Sequence, residues 1–232
     1  MTDALAALKY HVFDQGRYSM ADFMTALADD FGGNEDLWAD VNDHTPKYGN
    51  DDDAADDILR RVFESYYSAV NGRPNTRGGV HRINLLPTTC HVYFGSVIGA
   101  MPDGRRAGRP LSEGISPVQG ADRNGPTAVL KSAAKIDHIR TGGTLLNQKF
   151  LPQVLADEAG LTKLGQLVRA YFSLDGHHVQ FNVVDIETLR KAQQAPEEYR
   201  DLIVRVAGYS DYFVDLTPEL QEEIIQRTAH AQ

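Results

Sequence analysis

The first third of the chain has its apolar residues three or four positions apart. Leu5, Leu8 and Val12 follow this spacing in the first segment. Such spacing predicts an amphipathic helix near the amino terminus. The same spacing predicts further helices around residues 19–31 and 37–41.

Polar residues indicate where the next helices begin. Ser19 followed by Asp22 has the form of a capping box, and Asn34 is suited to cap the third helix. A longer fourth helix is predicted over residues 54–70, directly after three acids at residues 51–53. Because the helix dipole favours negative charge at this end, we interpret the acids as an N-terminal cap. A cation site is the alternative.

Residues 71–126 are rich in Gly, Pro and Arg, and their apolar positions show little regular periodicity. A stretch this long and irregular is uncommon in a compact domain unless it is functional or wraps around other structure. Strand and helix patterns then alternate to the end of the chain, which indicates an α/β architecture. The predicted elements are a helix at 127–135, a strand at 143–150, a helix at 162–172, a strand at 177–184, a helix from 186, an apolar segment at 202–206 and a last helix capped by Thr217.

Composition and charge narrow the class of protein. Hydrophobic residues make up 42% and charged residues 24%, as in folded globular domains. The single cysteine, Cys90, cannot form an internal disulfide, and the amino terminus lacks a signal peptide, so we expect a reducing, cytoplasmic location. The net charge is −9 without a clear basic face, and no apolar run is long enough for a membrane span. We therefore expect neither a nucleic-acid nor a membrane partner.

Three groups of residues could carry chemistry, and for each we favour a structural role. The loop Pro102–Gly114 has three arginines that could bind an anion, but its spacing matches neither a P-loop nor a dinucleotide fingerprint. His177 and His178 are adjacent, so on a strand they would face opposite sides and could not share a metal ion. Cys90 beside His91 could be a reactive thiol. A small buried residue is the favoured interpretation of this cysteine.

The segment Arg205–Ser210, with the sequence RVAGYS, is the most specific motif in the chain. It lies near the carboxyl terminus, between an apolar run and the last amphipathic helix. One interpretation makes Gly208 a turn glycine with positive φ. The hexamer also resembles the radical-bearing motif of the glycyl radical enzymes, which include pyruvate formate-lyase and the choline, glycerol and hydroxyproline lyases.

The resemblance covers nearly the whole chain, most securely from Lys47 to Thr228. RVAGYS differs from the SGYA-type motif, which favours the eliminating lyases and decarboxylases over pyruvate formate-lyase itself. The segments that resemble the family, in the same order, are KYGNDDD (47–53), FGSVIGAMPDGRRAGRPLSEGISPVQG (94–120), GPTAVLKS (125–132), GTLLNQKF (143–150) and HVQFNVV (178–184).

The resemblance implies a radical stored on Gly208. An α-carbon radical is stabilised between a donating amide nitrogen and a withdrawing carbonyl, and only glycine lets this carbon flatten without a side-chain clash. It also implies that no cofactor is bound, because a separate S-adenosylmethionine iron–sulfur activase removes the hydrogen from Gly208. The radical then passes to a cysteine, and the thiyl attacks a small-molecule substrate. Such an intermediate must be shielded from water and oxygen, so we expect an oxygen-sensitive protein of anaerobic metabolism.

The family's fold is a ten-stranded α/β barrel, and its thiyl cysteine lies far upstream of the glycine. Cys90 lies 208 − 90 = 118 residues before Gly208, where relatives do not keep that thiol. We therefore expect the carboxyl-terminal portion of the barrel. Residues 1–75 are predicted to be a helical arm that ends the pyruvate formate-lyase-like domain, and residues 76–232 the glycine radical domain.

Three functions remain open. The favoured one is the carboxyl-terminal part of a longer or split glycyl radical lyase, whose partners are the activase and either the missing barrel part or a second copy. The second is a free-standing radical carrier that restores an oxygen-damaged enzyme. The third is a non-catalytic remnant that serves as an interaction module. The sequence does not identify the substrate.

Overall fold

The computed structural model describes residues 1–86 and 88–230. In this part of the chain, helices fill the first third, and strands alternate with helices after residue 126, as the apolar pattern predicts. The α-helices are α1 (Thr2–Leu8), α2 (Met20–Ala28), α3 (Glu35–His44), α4 (Asp53–Val70), α5 (Cys90–Val97), α6 (Pro126–Ala133), α7 (Glu158–Ser173), α8 (Ile186–Gln194) and α9 (Pro218–Gln226). The strands are β1 (Asn147–Phe150), β2 (Gln180–Val183), β3 (Ile203–Arg205), β4 (Ser210–Tyr212) and β5 (Ala229–His230).

The helix caps confirm most of the predicted helix starts. Ser19 and Asp22 form the predicted capping box, in which the Asp22 amide donates to Ser19 Oγ (3.2 Å) and the Ser19 amide to Asp22 Oδ2 (2.7 Å). Asp52 caps α4 by accepting from the amide of the helix's second residue (2.9 Å). The prediction for Asn34 is wrong in detail: it stands at the N-cap of α3, but its side chain donates to the carbonyl of Gly32 instead (3.1 Å).

Three apolar clusters form the core. The first joins the amino-terminal helices around Phe23, Phe31 and Val41. The second and third pack the rest of the chain. The second contains Phe63, Ile83, Ile115, Val129, Leu130, Ala133, Ile136, Leu146 and Tyr171, so α4 packs against segments far along the chain. The third contains Leu145, Val184, Leu189, Ala192, Val204, Val206, Ala207, Phe213, Leu216, Leu220, Ile224 and Ile225.

A parallel sheet organises the carboxyl-terminal part. β1 is its central strand, with β2 on one side and β5 on the other, and Asn147 lies opposite Gln180. β3 and β4 form a separate antiparallel hairpin in which Arg205 lies opposite Ser210. Parallel strands joined through helices confirm the predicted α/β class. None of the helices in the described residues is both long and apolar enough to cross a membrane.

The irregular middle segment contains a helix that the sequence does not predict. α5 leaves Tyr93, Phe94 and Val97 exposed, so it lacks the polar face of an amphipathic surface helix. Tertiary contacts stabilise it instead. The buried guanidinium of Arg105 donates to the carbonyls of Gly95 (3.3 Å) and Ile98 (3.0 Å), where helix carbonyls lack partners.

Candidate functional site

Gly208 lies at the tip of the turn that joins β3 to β4. The Val206 amide donates to the Tyr209 carbonyl (2.9 Å) and closes the turn. Gly208 has φ +79° and is exposed, which confirms the interpretation as a turn glycine. A Cβ atom added there would lie 3.4 Å from Leu145 Cδ1, an ordinary contact. The backbone conformation, not crowding, therefore favours glycine at this position.

Two amide side chains of β2 form hydrogen bonds with the β3–β4 hairpin. Gln180 Oε1 accepts from the Gly208 amide (3.2 Å) and from Arg205 Nε (2.8 Å). Asn182, two residues on and hence on the same face of the strand, makes two bonds of 2.7 Å with the backbone amide and carbonyl of Arg205. The backbone of β3 is thus paired by a side chain of β2, where a neighbouring strand would normally supply its own backbone amide and carbonyl.

Asn147, the first residue of β1, joins this support to a buried carboxyl group. Its Nδ2 donates to the Val206 carbonyl (3.3 Å) and to Glu113, and its Oδ1 accepts from Gln180. Glu113 also accepts from Ser116 Oγ (2.9 Å). Burial raises the pKa of Glu113 to about 7, although the charge of Arg227 and the bond from Asn147 oppose this shift.

A buried ion pair on α9 holds the same turn from another side. Arg227 Nη2 lies 2.8 Å from Glu223 Oε2, and Arg227 Nη1 donates to the Val206 carbonyl (3.0 Å). Burial opposes ionisation of Glu223, but Arg227 and His91 outweigh it and lower its pKa to about 2. Glu223 is therefore a carboxylate at neutral pH, and Arg227 bridges it to the turn.

The Gly208 turn and the four side chains that support it thus form one polar site, which we call the glycine-turn site. The four side chains are Glu113, Asn147, Gln180 and Arg227. They come from the middle loop, β1, β2 and the end of α9, which the fold brings together around one carbonyl and one amide.

The other candidate residues lie elsewhere. Two of the acids at 51–53 bind a lysine, because Lys135 Nζ lies 2.8 Å from Asp53 and 3.1 Å from Asp51. The third, Asp52, caps α4, so the structural interpretation is supported. The favoured interpretation of Cys90 is wrong, because its side chain is exposed at the start of α5. His177 and His178 precede β2 instead of lying on it. Within residues 1–86 and 88–230 no three or more His, Cys, Asp or Glu side chains could hold a metal ion together.

The four supporting side chains were not predicted from the sequence, although a signal for two of them is present. The predicted strands at 143–150 and 177–184 mix apolar residues with side-chain amides, whereas strands buried on both faces are normally continuously apolar. Asn147 and Gln180 are two of these amides. Buried amides need partners, so their positions indicate a polar site inside the fold. Glu113 and Arg227 carry no comparable signal in the sequence.

Comparison with known proteins agrees with the motif. A family model described as pyruvate formate lyase-like matches residues 1–95, and one described as glycine radical matches residues 111–214. The trans-4-hydroxy-L-proline dehydratase of Clostridioides difficile is 56% identical over 98% of this chain and 29% of its own length. The chain thus spans less than a third of the length of that relative.

Solved structures give the same result. The crystal structure of hydroxyproline dehydratase from Clostridioides difficile, with trans-4-hydroxy-L-proline bound, matches with a TM-score of 0.97 and 55% identity over 100% of this chain and 29% of that chain. The glycerol-bound B12-independent glycerol dehydratase of Clostridium butyricum matches with a TM-score of 0.96 and 45% identity over 100% of this chain and 29% of that chain. These relatives are dehydratases, the branch that RVAGYS predicts. The chain belongs to the glycyl radical enzyme family.

Proposed function

We propose that this chain is the radical-bearing, carboxyl-terminal part of a glycyl radical lyase or dehydratase, with Gly208 as the radical site. The observation that carries this proposal is the position of Gly208 within RVAGYS. Its α-carbon lies at an exposed turn, within reach of a second protein, while buried polar side chains hold the peptide groups on either side.

The proposed activation removes one hydrogen atom from Gly208. An S-adenosylmethionine iron–sulfur activase provides the radical that takes this atom, and the unpaired electron stays on the α-carbon. The adjacent amide and carbonyl then share the spin, provided that both peptide planes align with the flattened carbon. The bond from the Gly208 amide to Gln180 Oε1 favours this alignment, because it fixes the amide that must donate electron density.

The proposed enzyme passes the radical on by taking a hydrogen atom from a cysteine thiol, which restores Gly208 and leaves a thiyl. We propose that this cysteine lies outside these 232 residues, since Cys90, the single cysteine of the sequence, is exposed on α5. The remainder of a ten-stranded α/β barrel would supply it. The same portion would cover Gly208, whose present exposure offers no shield against oxygen. In this proposal residues 1–75 are the arm and residues 76–232 the glycine radical domain.

Electron paramagnetic resonance tests the radical site directly. Anaerobic treatment with a compatible activase, S-adenosylmethionine and a reductant should give a doublet, because the spin couples mainly to the one remaining α-hydrogen. Glycine deuterated at the α-carbon should collapse it. Air should then cut the chain at Gly208, because oxygen adds to the α-carbon radical and the peroxyl product breaks the backbone within that residue. The result is a large fragment that ends near Ala207 and a small one that begins near Tyr209.

A matched pair of variants separates the radical from backbone strain. Gly208→Ala should abolish both doublet and cleavage. Gly72→Ala should keep both, since Gly72 is exposed and also has φ +79° with open space where a Cβ would lie. A doublet that persists in Gly208→Ala would contradict the assignment.

Turnover tests the missing cysteine. With the activase alone, this chain should not dehydrate trans-4-hydroxy-L-proline, the first substrate to try because the 56% identical relative is named for it. Adding the barrel portion of a relative, with its cysteine loop, should be necessary. Turnover by the isolated chain that is lost in Cys90→Ser would show that Cys90 is the thiyl residue. Restoration of an oxygen-cleaved dehydratase would favour the separate radical carrier.

A further inference from the structure

Gly208 is connected to a buried carboxyl group through two side-chain amides in series. Glu113 Oε2 accepts from Asn147 Nδ2, Asn147 Oδ1 accepts from Gln180 Nε2, and Gln180 Oε1 accepts from the Gly208 amide (3.2 Å). Glu113, Asn147 and Gln180 are only 2%, 8% and 6% exposed. Water therefore has little access to the bonds between these three side chains.

The donor-to-acceptor direction of this series of hydrogen bonds is set by the groups at its two ends. A side-chain amide has one donor end and one acceptor end, so the orientation of one amide fixes that of the next. At the inner end, Glu113 Oε2 accepts from both Asn147 Nδ2 and Ser116 Oγ. At the outer end, Gln180 Oε1 meets two groups that only donate, the Gly208 amide and Arg205 Nε (2.8 Å).

The reverse orientation would leave several buried groups unpaired. Turning both amides round would place the NH₂ group of Gln180 against the two donors. It would also place the Asn147 oxygen against the Glu113 carboxylate and the Val206 carbonyl. Each such mismatch in a buried site costs the desolvation of the unpaired groups. The observed orientation pairs all of these contacts.

Glu113 is itself held in place, so it can act as a fixed end. Ser116 Oγ donates to Glu113 Oε2 (2.9 Å), and the Asn147 backbone amide donates to Ser116 Oγ (2.9 Å). The charged or titratable groups that act on Glu113 are Arg227, at the end of α9, and His91, on α5. Their effect opposes burial but does not overcome it, since the pKa of Glu113 is raised to about 7. What fixes Glu113 Oε2 as an acceptor is the pair of donors that meet it, Asn147 Nδ2 and Ser116 Oγ.

We propose that Glu113 is a positioning residue for Gly208, which orients Asn147 and, through it, Gln180, so that an oxygen atom is held against the Gly208 amide. The functional meaning rests on the proposed radical at Gly208. An oxygen fixed at that amide holds the peptide plane and strengthens the electron donation that stabilises an α-carbon radical. Glu113 does this without touching the glycine.

Amide hydrogen exchange, followed by nuclear magnetic resonance on the 232-residue chain, tests this. In Glu113→Leu the Gly208 amide should exchange roughly 3- to 10-fold faster, the factor that corresponds to one lost hydrogen bond. Glu113→Gln keeps an oxygen for Asn147, so exchange should stay within about twofold of the original rate. The Gln180 backbone amide, which donates to the Leu146 carbonyl (2.9 Å), serves as the internal reference.

A double-variant cycle shows whether Glu113 acts through Gln180. Gln180→Glu presents an oxygen to the Gly208 amide in either orientation. In that background Glu113→Leu should no longer change the Gly208 exchange rate. If Glu113→Leu does not fold, the near-isosteric Asn147→Leu breaks the same connection and should give the same acceleration at Gly208.

Two results would overturn the inference. One is a Gly208 exchange rate that is unchanged in both Glu113→Leu and Asn147→Leu. The other is an equal acceleration at Gly208 and at the Gln180 reference amide, which would indicate general loosening of the fold. Because exchange needs no radical, a missing paramagnetic doublet would count against the proposed function and leave this result standing.

Discussion

The amino-terminal helices and the glycine-turn site are stabilised by different kinds of contact. The helices pack around Phe23, Phe31 and Val41, which are completely buried and apolar. The Gly208 turn is instead supported by buried polar side chains, among them Asn147 and Gln180, which form hydrogen bonds with its backbone. Apolar packing tolerates small shifts and needs only a matching volume. A polar network fixes atoms at definite positions, which is what a glycine at the tip of an exposed turn requires.

Removing one half of the buried ion pair should have the largest effect on stability. Arg227→Met removes the guanidinium partner of Glu223, which is 1% exposed, and leaves it, among the described residues, only Gln119 Nε2 (3.0 Å) and His91 Nε2 (3.5 Å). It also removes a donor from the Val206 carbonyl. We expect the free energy of unfolding to fall by about 4 kcal/mol, measured by chemical denaturation at neutral pH.

The double variant Glu223→Leu/Arg227→Met is the control for this loss. It removes both charges and fills the space with apolar atoms, so most of the stability should return. A single variant that loses less than about 1 kcal/mol would show that Glu223 is solvated or paired in another way. In that case the two regions would differ less than their contacts suggest.

A cavity in the helical cluster should have a slightly smaller effect, of a different kind. Leu37, on α3, is 3% exposed, and Leu37→Ala should lower the free energy of unfolding by about 3 kcal/mol through lost contacts and the remaining void. The matched control is Leu161→Ala on α7, where the leucine is 58% exposed and the loss should stay within about 0.5 kcal/mol. Equal losses in the two variants would contradict the burial difference.

The same contrast explains how far the sequence predicts the fold. Helix positions follow from local patterns: the Ser19–Asp22 capping box and the Thr217 cap lie where the sequence places them. The sequence pattern does not show α5 because a guanidinium from outside the helix, that of Arg105, donates to carbonyls at its end. The two-residue strand β5 was missed because only its pairing with β1 defines it. Tertiary contacts of this kind leave no periodic signal.

The candidate site was predicted only at its centre. Gly208 follows from RVAGYS, whereas its support comes from residues that are up to 95 positions away in sequence, as 208 − 113 = 95 for Glu113. The sequence does not show whether a glutamate is buried or exposed, so the contacts of Glu113 can be seen only in the folded structure. Cys90 illustrates the reverse error, since its residue type favours burial but its position at the start of α5 is exposed.

The pH dependence of stability tests the buried carboxyl group of the glycine-turn site. The pKa of Glu113 is about 7 in the folded protein against 4.5 for the unperturbed group. A raised pKa means that the folded state binds the proton more tightly, so its stabilisation is complete below pH 4.5 and is lost as the pH rises through 7. Relative to Glu113→Gln, the original chain should lose about 3 kcal/mol across this range, because the pKa difference is 7 − 4.5 = 2.5 and each unit corresponds to about 1.4 kcal/mol.

Two features make this comparison specific. Asp3 and Asp122, whose pKa values burial raises to about 6, titrate in the same window and remain present in Glu113→Gln, so they cancel in the difference. Leu37→Ala should keep the full pH dependence of the original chain, because it removes no titratable group and Leu37 packs in an apolar cluster. A slope that is identical with and without Glu113 would indicate that its carboxyl group is solvated.

The smallest expected effect is on the glycine itself. Gly208→Ala should lower the free energy of unfolding by about 1 kcal/mol, the cost of a side chain at positive φ. Gly72→Ala, at the same φ of +79°, should cost about the same, since the added methyl at Gly208 meets only Leu145 at an ordinary contact distance. Denaturation curves of the two variants should therefore nearly coincide, while only Gly208→Ala loses the paramagnetic doublet. A loss above about 3 kcal/mol at Gly208 alone would mean that the turn is a packed structural element, because strain at one positive φ cannot account for it.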